Sequence, residues 1–369
     1  MRRRLLAFAP FLLVFSVFLF IANMVVYEAW AAMFMLNGWV PALTLGLVLG
    51  LLSGTFVLST FLGTRYHTVW TRAYYKASAV WMGAFAYLFI AASVYGVAVF
   101  VAGSLVPWVG WASMALALLV SAYGYAHART IVVRELEAQL PNLPPAWEGR
   151  RLAFISDVHL GQIHGEKSMQ RVVDAVNSTA HDLVCIGGDL FDGTTAPDLK
   201  RLAAPLASLK APMGIYFITG NHEEYGDAAA FMDALRSADV RVLQDELLDI
   251  DGVQLIGVDY KTTGGRDEFA AVLAALPIAP EKPSILLKHE PRHLEVASGA
   301  GISLQLSGHT HLGQQWPFMH LAQLTYQGFA YGLKRLGSMQ VYTSSGVGTW
   351  GPPLRVGTNS EVVVLTFTK

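Results

Sequence analysis

The chain is 369 residues long, 53% hydrophobic and only 14% charged, with a mean hydropathy of +0.42. Soluble globular chains carry about a quarter charged residues, so disorder, a disulfide scaffold and an ordinary cytosolic enzyme are excluded for the chain as a whole. The single cysteine, Cys185, rules out an intrachain disulfide and fits a reducing compartment. Residues 1–134 hold eight Lys/Arg and one acid, Glu28, for a net +7; residues 135–369 hold 18 Lys/Arg and 26 acids, for a net −8. A membrane half is joined to a soluble half.

In chain order, four apolar runs cover residues 5–27, 40–62, 77–103 and 105–126, each long enough for the roughly 20 helical residues that cross a hydrocarbon core. Gly103, Ser104 and Pro107 mark a tight turn between the third and fourth. None of the four contains Asp, Lys or Arg, which argues against an ion-coupled transporter. Arg2, Arg3 and Arg4 precede the first run; Arg65, Arg72 and Lys76 lie between the second and third; Arg129 and Arg134 follow the fourth. The positive-inside rule then predicts both termini in the cytoplasm and the soluble half at the inner leaflet of the membrane. Trp30, Trp39, Trp70, Trp108 and Trp111 fall near the ends of the runs, where interfacial anchors belong. Gly46, Gly50 and Gly54 at four-residue spacing predict close helix packing.

Residues 127–140 alternate charged and aliphatic side chains at roughly helical spacing and predict an amphipathic helix, ended by Pro141, Pro144 and Pro145. The expected organisation is a four-helix membrane domain over 1–128, an amphipathic helix with a Pro-rich linker over 129–148, and a catalytic domain over 149–369. In that last part, strands are expected at 151–156, 183–186, 214–219, 253–258, 285–288, 303–306, 339–343 and 362–367, with helices at 168–177, 198–209, 227–237 and 267–276. This is the pattern of a layered α/β domain.

Polar chemistry gathers where the strands end. The clusters in order are Asp157-Val158-His159, Gly188-Asp189 with Asp192, Gly220-Asn221-His222-Glu223, Lys288-His289-Glu290 and Gly308-His309-Thr310-His311. Each alone is an ordinary turn, but five in succession converge on one crevice of an α/β sheet. Imidazole and oxygen ligands without thiolate suit Mn, Fe or Zn. Cys185, inside a strand, reads as packing rather than as a nucleophile.

This order resembles that of the calcineurin-like metallophosphoesterases over residues 150–369, and within them the bacterial membrane-associated branch. There the last motif is followed by Gly-Gln, here Gly313-Gln314, and by a Gly-rich closing segment, here residues 346–353. The resemblance implies two β-sheets sandwiched by helices, with a two-metal centre between the sheet edges. It places Asp157, His159 and His311 on one divalent ion and Asn221, His289 and His309 on another, with Asp189 bridging. Manganese is the expected metal, iron and zinc the alternatives. His222 takes the position of the proton donor to the leaving group, Glu223 that of a residue orienting His222, and Asp192 stands behind the ligands to hold one in place. Hydroxide generated between the metals attacks phosphorus in line, without a phosphoenzyme.

Two departures bear on the substrate. Asp192 is followed by Gly193-Thr194 rather than the Arg-Gly of the protein phosphatases, and Leu312 stands where close relatives have Gly. Residues 316–333 are unusually apolar and aromatic and read either as a packed insertion or as a membrane-facing lip beside the metals. Lys334 and Arg335 at the end of this stretch, Arg266 on a glycine-bordered loop, and His164 after the first motif are candidate substrate contacts.

The expected function is hydrolysis of a phosphodiester, phosphomonoester or pyrophosphate in a lipid or lipid-linked substrate at the cytoplasmic leaflet. One alternative is a membrane-anchored phosphodiesterase for a soluble substrate such as a cyclic nucleotide, in which residues 149–369 alone would keep full activity. Another is a non-catalytic membrane scaffold or sensor, against which the intact ligand set and His222 count. The net-acidic soluble half argues against nucleic acid as a partner.

Overall fold

The computed structural model describes residues 2–369 apart from 105, 194–197 and 226–227, with side chains described from Val17 onward except at 225 and 228. Leu105, which opens the fourth expected span, and Thr194 of the second motif therefore lie outside the described residues. The chain divides into two compact units, Met1–Tyr125 and Ala126–Lys369.

The first unit is helical: α1 (Arg2–Met33), α2 (Trp39–Arg65), α3 (Val69–Ala102) and α4 (Pro107–His127). Among the described residues three helices, α2, α3 and α4, are long and apolar enough to cross a membrane. The described part of α1, Val17–Met33, is a shorter apolar stretch, so the expected first span lies partly outside the described side chains. Outward side chains such as Phe100 and Leu51, 87% and 72% exposed, are what a hydrocarbon solvent requires.

Gly103 ends α3 in the left-handed region at φ 64°, and Pro107 opens α4, the placement in which glycine escapes the Cβ penalty and proline needs no N–H partner. The third helix begins eight residues before its expected start. Thr68 caps it by accepting from the Thr71 N–H, so Arg72 and Lys76 ride on the first turns rather than on a loop. The expected tight packing at Gly46, Gly50 and Gly54 is also displaced. A Cβ at Gly50 or Gly54 would meet nothing within 4 Å, whereas one at Gly110 would lie 2.7 Å from Met33 Sδ. Polar links between helices run from Ser59 to Ser78 and from Ser53 to Asn23.

The second unit opens with a correction. Residues 131–139 form strand β1 (Ile131–Gln139), not an amphipathic helix, and pair in parallel with β12 (Ser360–Thr368) over their whole length. Val133, Glu135 and Glu137 are exposed while Arg134, Leu136 and Ala138 turn inward. That two-residue alternation, begun by the β-branched Ile131-Val132-Val133, outweighs the helical spacing once a sheet edge is available. The catalytic-type domain therefore begins before the expected 149.

One mixed sheet runs β1-β12-β2-β3-β4-β5, with β2 (Arg151–Ile155), β3 (Leu183–Ile186), β4 (Ile215–Phe217) and β5 (Arg241–Val242). The other runs β10-β11-β9-β8-β7-β6, with β6 (Glu246–Ile250), β7 (Val253–Gly257), β8 (Ser284–Leu287), β9 (Leu304–Ser307), β10 (Gly332–Leu336) and β11 (Met339–Thr343). Helices α5 (Glu166–Asn177), α6 (Leu199–Ala203), α7 (Asn221–Tyr225) and α8 (Ala228–Arg236) follow strands of the first sheet; α9 (Arg266–Ala275), α10 (Leu294–Gly299) and α11 (Phe318–Thr325) follow strands of the second.

Strand periodicity sorts the core into three layers. Leu152, Phe154, Leu183 and Cys185 face Leu255, Ile285, Leu287 and Leu306 between the sheets. Ala153, Ile155, Val184 and Ile186 turn the other way, toward Val173 of α5 and Leu235 of α8. Ile256 and Leu286 face Phe269 of α9 and Ala297 of α10. The inner strands of both sheets are buried on two faces, which is why they read as continuous apolar runs.

Candidate metal centre

The polar clusters lie at the ends of β2, β3, β4, β8 and β9. Five of their residues adopt a backbone that L side chains seldom take: φ is 55° at Asp157, 53° at His159, 51° at Asp189, 69° at His309 and 47° at His311. Such conformations persist only where the surroundings impose them. Here the Asp157 N–H donates to Gly188 O and the His159 N–H to Asp189 O, both at 3.0 Å, while the His309 N–H donates to the Asp157 carboxylate at 2.9 Å. Glycine is required at two of these contacts: a Cβ on Gly220 would collide with the Asp189 carboxylate, and one on Gly308 with that of Asp157.

Three overlapping groups result, each with ligand-type atoms within 4.8 Å of one another: Asp157, His159 and His311; His159, Asp189 and His222; Asp189, His289 and His309. His159 Nε2 faces His311 Nε2 at 3.0 Å, and His311 Nε2 is 3.7 Å from Asp157 Oδ1. On the other side His309 Nδ1 lies 2.8 Å from Asn221 Oδ1 and 3.2 Å from His289 Nε2. Asp189 belongs to both sides. Its Oδ1 accepts the His222 N–H at 2.9 Å, and its Oδ2 is 3.2 Å from His289 Nε2 and 3.8 Å from His159 Nε2.

These residues fit a pair of divalent cations. His289 Nδ1–H donates to Gly187 O at 2.7 Å, which turns the Nε2 lone pair into the cluster. Among the described residues His311 Nδ1 is buried without a hydrogen-bond partner, and His159 Nδ1 faces Asp192 Oδ1 at 3.5 Å. The electrostatics ask for positive charge. Burial favours neutral imidazole: it lowers His309 to about 4, and it holds His311 well below the usual histidine range. At His289 burial is overcome by Asp189, which lifts the ring to about 10. For Asp189 burial favours the neutral acid, but His289, His159 and His222 outweigh it and hold the carboxyl well below the usual carboxylate range. Imidazoles can meet that demand only by keeping protons; a cation meets it without them.

His222 stands beside His159 and Asp189, its ring edge-on to His159 at 4.6 Å. Its Nδ1 is 3.1 Å from Asp192 O, and Asp192 Oδ1 is 3.5 Å from both His222 Nδ1 and His159 Nδ1. Glu223, expected to orient His222, makes three hydrogen bonds to backbone donors. Its buried carboxylate accepts from the N–H groups of Asp189 (3.0 Å), Phe191 (3.0 Å) and Gly220 (2.7 Å), and so ties the second motif to the third. Burial, then Asp189, raises its carboxyl to about 7.

The expected substrate contacts are dispersed. His164 Nε2 accepts the Thr349 N–H at 3.1 Å, and burial, then His159, lowers the ring to about 3, so it braces the closing segment as a neutral group. Arg266 opens α9 and pairs with Asp267 and Glu295 at 3.3 and 3.4 Å. Lys334 and Arg335 lie on β10, the edge strand of the second sheet, where Arg335 donates to Gln139 of β1. None of these polar partners belongs to the cluster.

Sequence reading missed other neighbours. Trp350 comes within 6.0 Å of the His222 ring, and Tyr326 within 6.2 Å of His309. The Tyr326 hydroxyl donates to Glu290 Oε1 at 3.1 Å, and that oxygen is 3.5 Å from His309 Nε2. Arg355, fully buried, donates to the carbonyls of Ser345, Gly346 and Gly348 at 2.7, 3.0 and 2.6 Å. Its only sequence signal is an arginine inside an apolar, Gly/Pro-rich segment.

Residues 150–313 match the family model described as calcineurin-like phosphoesterase. An uncharacterized metallophosphoesterase of Aquifex aeolicus is 33% identical over 261 residues, which cover 69% of this chain and 98% of that protein. The chain belongs to the calcineurin-like metallophosphoesterase family. Two further relatives in the family are an uncharacterized metallophosphoesterase of Campylobacter jejuni, 35% identical over 65% of this chain and 64% of that one, and a transmembrane protein with metallophosphoesterase domain of Danio rerio, 34% identical over 67% and 61%. The chain thus spans less than two thirds of the length of these two relatives. The family, the clustered His and Asp side chains and the apolar helices together describe a membrane-associated protein carrying a metallophosphoesterase domain with residues suited to divalent metals.

Proposed function

We propose that this is a membrane-integral, dinuclear-metal phosphoesterase that hydrolyses a phosphodiester, phosphomonoester or pyrophosphate bond in a lipid or lipid-linked substrate at the cytoplasmic leaflet. The observation that carries the chemistry is the shared position of Asp189 Oδ2, 3.2 Å from His289 Nε2 and 3.8 Å from His159 Nε2. Asp157, His159 and His311 would hold one ion, Asn221, His289 and His309 the other, with Asp189 within reach of both.

Two divalent ions in this position, manganese or alternatively iron or zinc, supply Lewis acidity and a strong nucleophile at neutral pH. The protein's own groups do the rest. Asp189 is fixed by the His222 N–H and, through its own N–H, by Glu223. His222 donates its Nδ1–H to the Asp192 carbonyl and, as the imidazolium, would give its Nε2 proton to the leaving oxygen, ending as the neutral ring. Trp350 on one side and Tyr326 on the other wall the approach. A recess of about 510 Å³ lined by Arg292, His293, Tyr326 and Gln327 offers polar groups to the part of the substrate beyond the phosphorus.

The membrane assignment rests on the three apolar helices, with α1 as a fourth span. The orientation rests on the basic residues that flank them at 2–4, 65–76 and 129–134. The test uses full-length protein in mixed lipid micelles with Mn²⁺, incubated with a total bacterial lipid extract and compared by mass spectrometry with His222→Ala. A phosphate-containing lipid consumed by the wild type alone is the expected result. Unchanged lipids, with cleavage of a soluble diester such as a cyclic nucleotide whether or not the spans are present, would overturn the lipid reading and leave the helices as an anchor.

A further inference from the structure

Helix α11 has no buried residue, and its Phe318, Leu321 and Leu324 recur at three-residue spacing with exposures of 42%, 63% and 77%. They fall on one face. Trp316 just before the helix and Trp350 across from it are also exposed, at 47% and 57%. The apolar helix face, with two exposed tryptophans joined to the segment that precedes it, needs a partner.

Its place in the fold says which partner. The last candidate span, α4, ends at His127. Within the second unit His127 Nε2 lies 2.9 Å from Asn359 Oδ1, and Ser360 Oγ donates to Ala128 O at 3.1 Å, so the chain leaves the span against residues 359–360. The three residues before these carry the patch. The Trp316 N–H donates to Val356 O at 2.8 Å, the Thr358 hydroxyl donates to Gln314 O at 2.6 Å, and a Cβ at Gly357 would lie 3.5 Å from Met319 Sδ and 3.7 Å from Trp316 Cβ. The patch therefore adjoins the point at which this unit is tethered to a membrane-spanning helix.

The same patch adjoins the metal centre. Gln314 accepts the Trp350 N–H at 3.0 Å and follows directly on the His309–Gly313 segment, and the Trp350 ring reaches within 6.0 Å of His222. We propose that the exposed face of α11, with Trp316 and Trp350, seats in the interfacial layer of the bilayer and holds the mouth of the metal centre at headgroup depth. Tryptophan, phenylalanine and leucine beside polar rims are the side chains that partition to that layer. The bilayer contact stands on the tether and the patch. The delivery of a lipid phosphate to His222 rests in addition on the function proposed above.

The test is carried out on the full chain in vesicles of phosphatidylethanolamine and phosphatidylglycerol. Leu321→Cys, Leu324→Cys and, at the opposite end of the first sheet, Arg236→Cys each carry a nitroxide on a Cys185→Ala background, which leaves one thiol per chain. Positions 321 and 324 are expected to be relaxed more by oxygen than by a water-soluble nickel chelate, with the reverse at 236. Equal access of the chelate to 321, 324 and 236 would overturn the proposal. The double variant Leu321→Ser/Leu324→Ser is expected to lose turnover of lipid in vesicles while keeping that of a soluble diester. Immersed labels with no lipid hydrolysed by the wild type would leave the bilayer contact standing and sink the lipid-substrate reading alone.

Discussion

The Glu223 carboxylate accepts the Asp189 N–H at 3.0 Å, so the residue shared by both sides of the metal centre is positioned by a side chain 34 residues further along the chain. The same carboxylate satisfies the N–H groups of Gly220 and Phe191. Glu223→Ala would strand three buried donors, each costing about 1–3 kcal/mol. Glu223→Gln keeps one oxygen and should be milder. Thermal unfolding in detergent, read with metal content, checks the order: wild type most stable, then Gln, then Ala, with bound metal falling in the same sequence.

Metal stoichiometry separates the roles within the cluster. Asp189→Asn removes the charge from the carboxylate that lies beside both His159 and His289, and its bound metal is expected to fall toward zero. Asp157→Asn touches only the His159/His311 side and should lose mainly one ion. His222→Ala should bind both ions and lose turnover. Elemental analysis of the purified variants decides this, and equal metal content in Asp189→Asn and wild type would rule out the bridging assignment.

Arg355 acts at one remove. Its guanidinium gathers the carbonyls of Ser345, Gly346 and Gly348, and the Gly348 N–H in turn donates to Asp157 O at 2.9 Å. Arg355→Met should cost several kcal/mol, at about 1–3 kcal/mol per acceptor left unpaired in the interior. It should also weaken metal retention on the Asp157 side before the Asn221 side. Lysine supplies charge without the planar fork, so Arg355→Lys is expected to recover only part of the loss. Metal titration of the three proteins tests this.

His164 makes acid stability measurable at one residue. Burial first, and His159 next, lower its folded value to about 3 from 6.5. As pH falls through 6.5 the unfolded chain takes up a proton that the folded chain refuses until about 3. Its contribution is therefore complete above 6.5 and is lost progressively below it. His164→Gln keeps an acceptor for the Thr349 N–H and removes the proton uptake. Its stability should fall less steeply with acid than the wild type's, by about one proton in the slope. Parallel slopes would exclude the linkage.

Much of this domain was legible because its strands are uniformly apolar and buried. Strands 183–186 and 339–343 have the expected bounds, and the Asp and His clusters follow strand ends flanked by glycine. What escaped reading depends on distant partners. The backbone donors of Glu223 belong to another motif, the carbonyls held by Arg355 carry no side-chain signal, and the left-handed turns at Asp157, His159 and His311 are imposed by neighbours rather than by glycine. The misreading of 131–139 is of the same kind: its alternation takes effect only because β12 offers an edge.

That strand yields the last prediction, about where the domain can be cut. A chain beginning at residue 149 would lack β1 and expose all nine residues of β12 that pair with it, Ser360–Thr368. An uncovered strand edge of this length invites association. The same cut removes Leu140, Leu143 and Trp147, whose burial against Leu152, Phe154 and Phe367 is worth about 2 kcal/mol each, together with the Trp147 indole donor to Ile250 O at 2.8 Å. A chain beginning at Ala126 keeps the strand, the Pro-rich turn and the buried tryptophan. It should elute as one species where the shorter chain aggregates. Equal dispersity of the two, measured by light scattering, would mean that β1 is dispensable to the domain it borders.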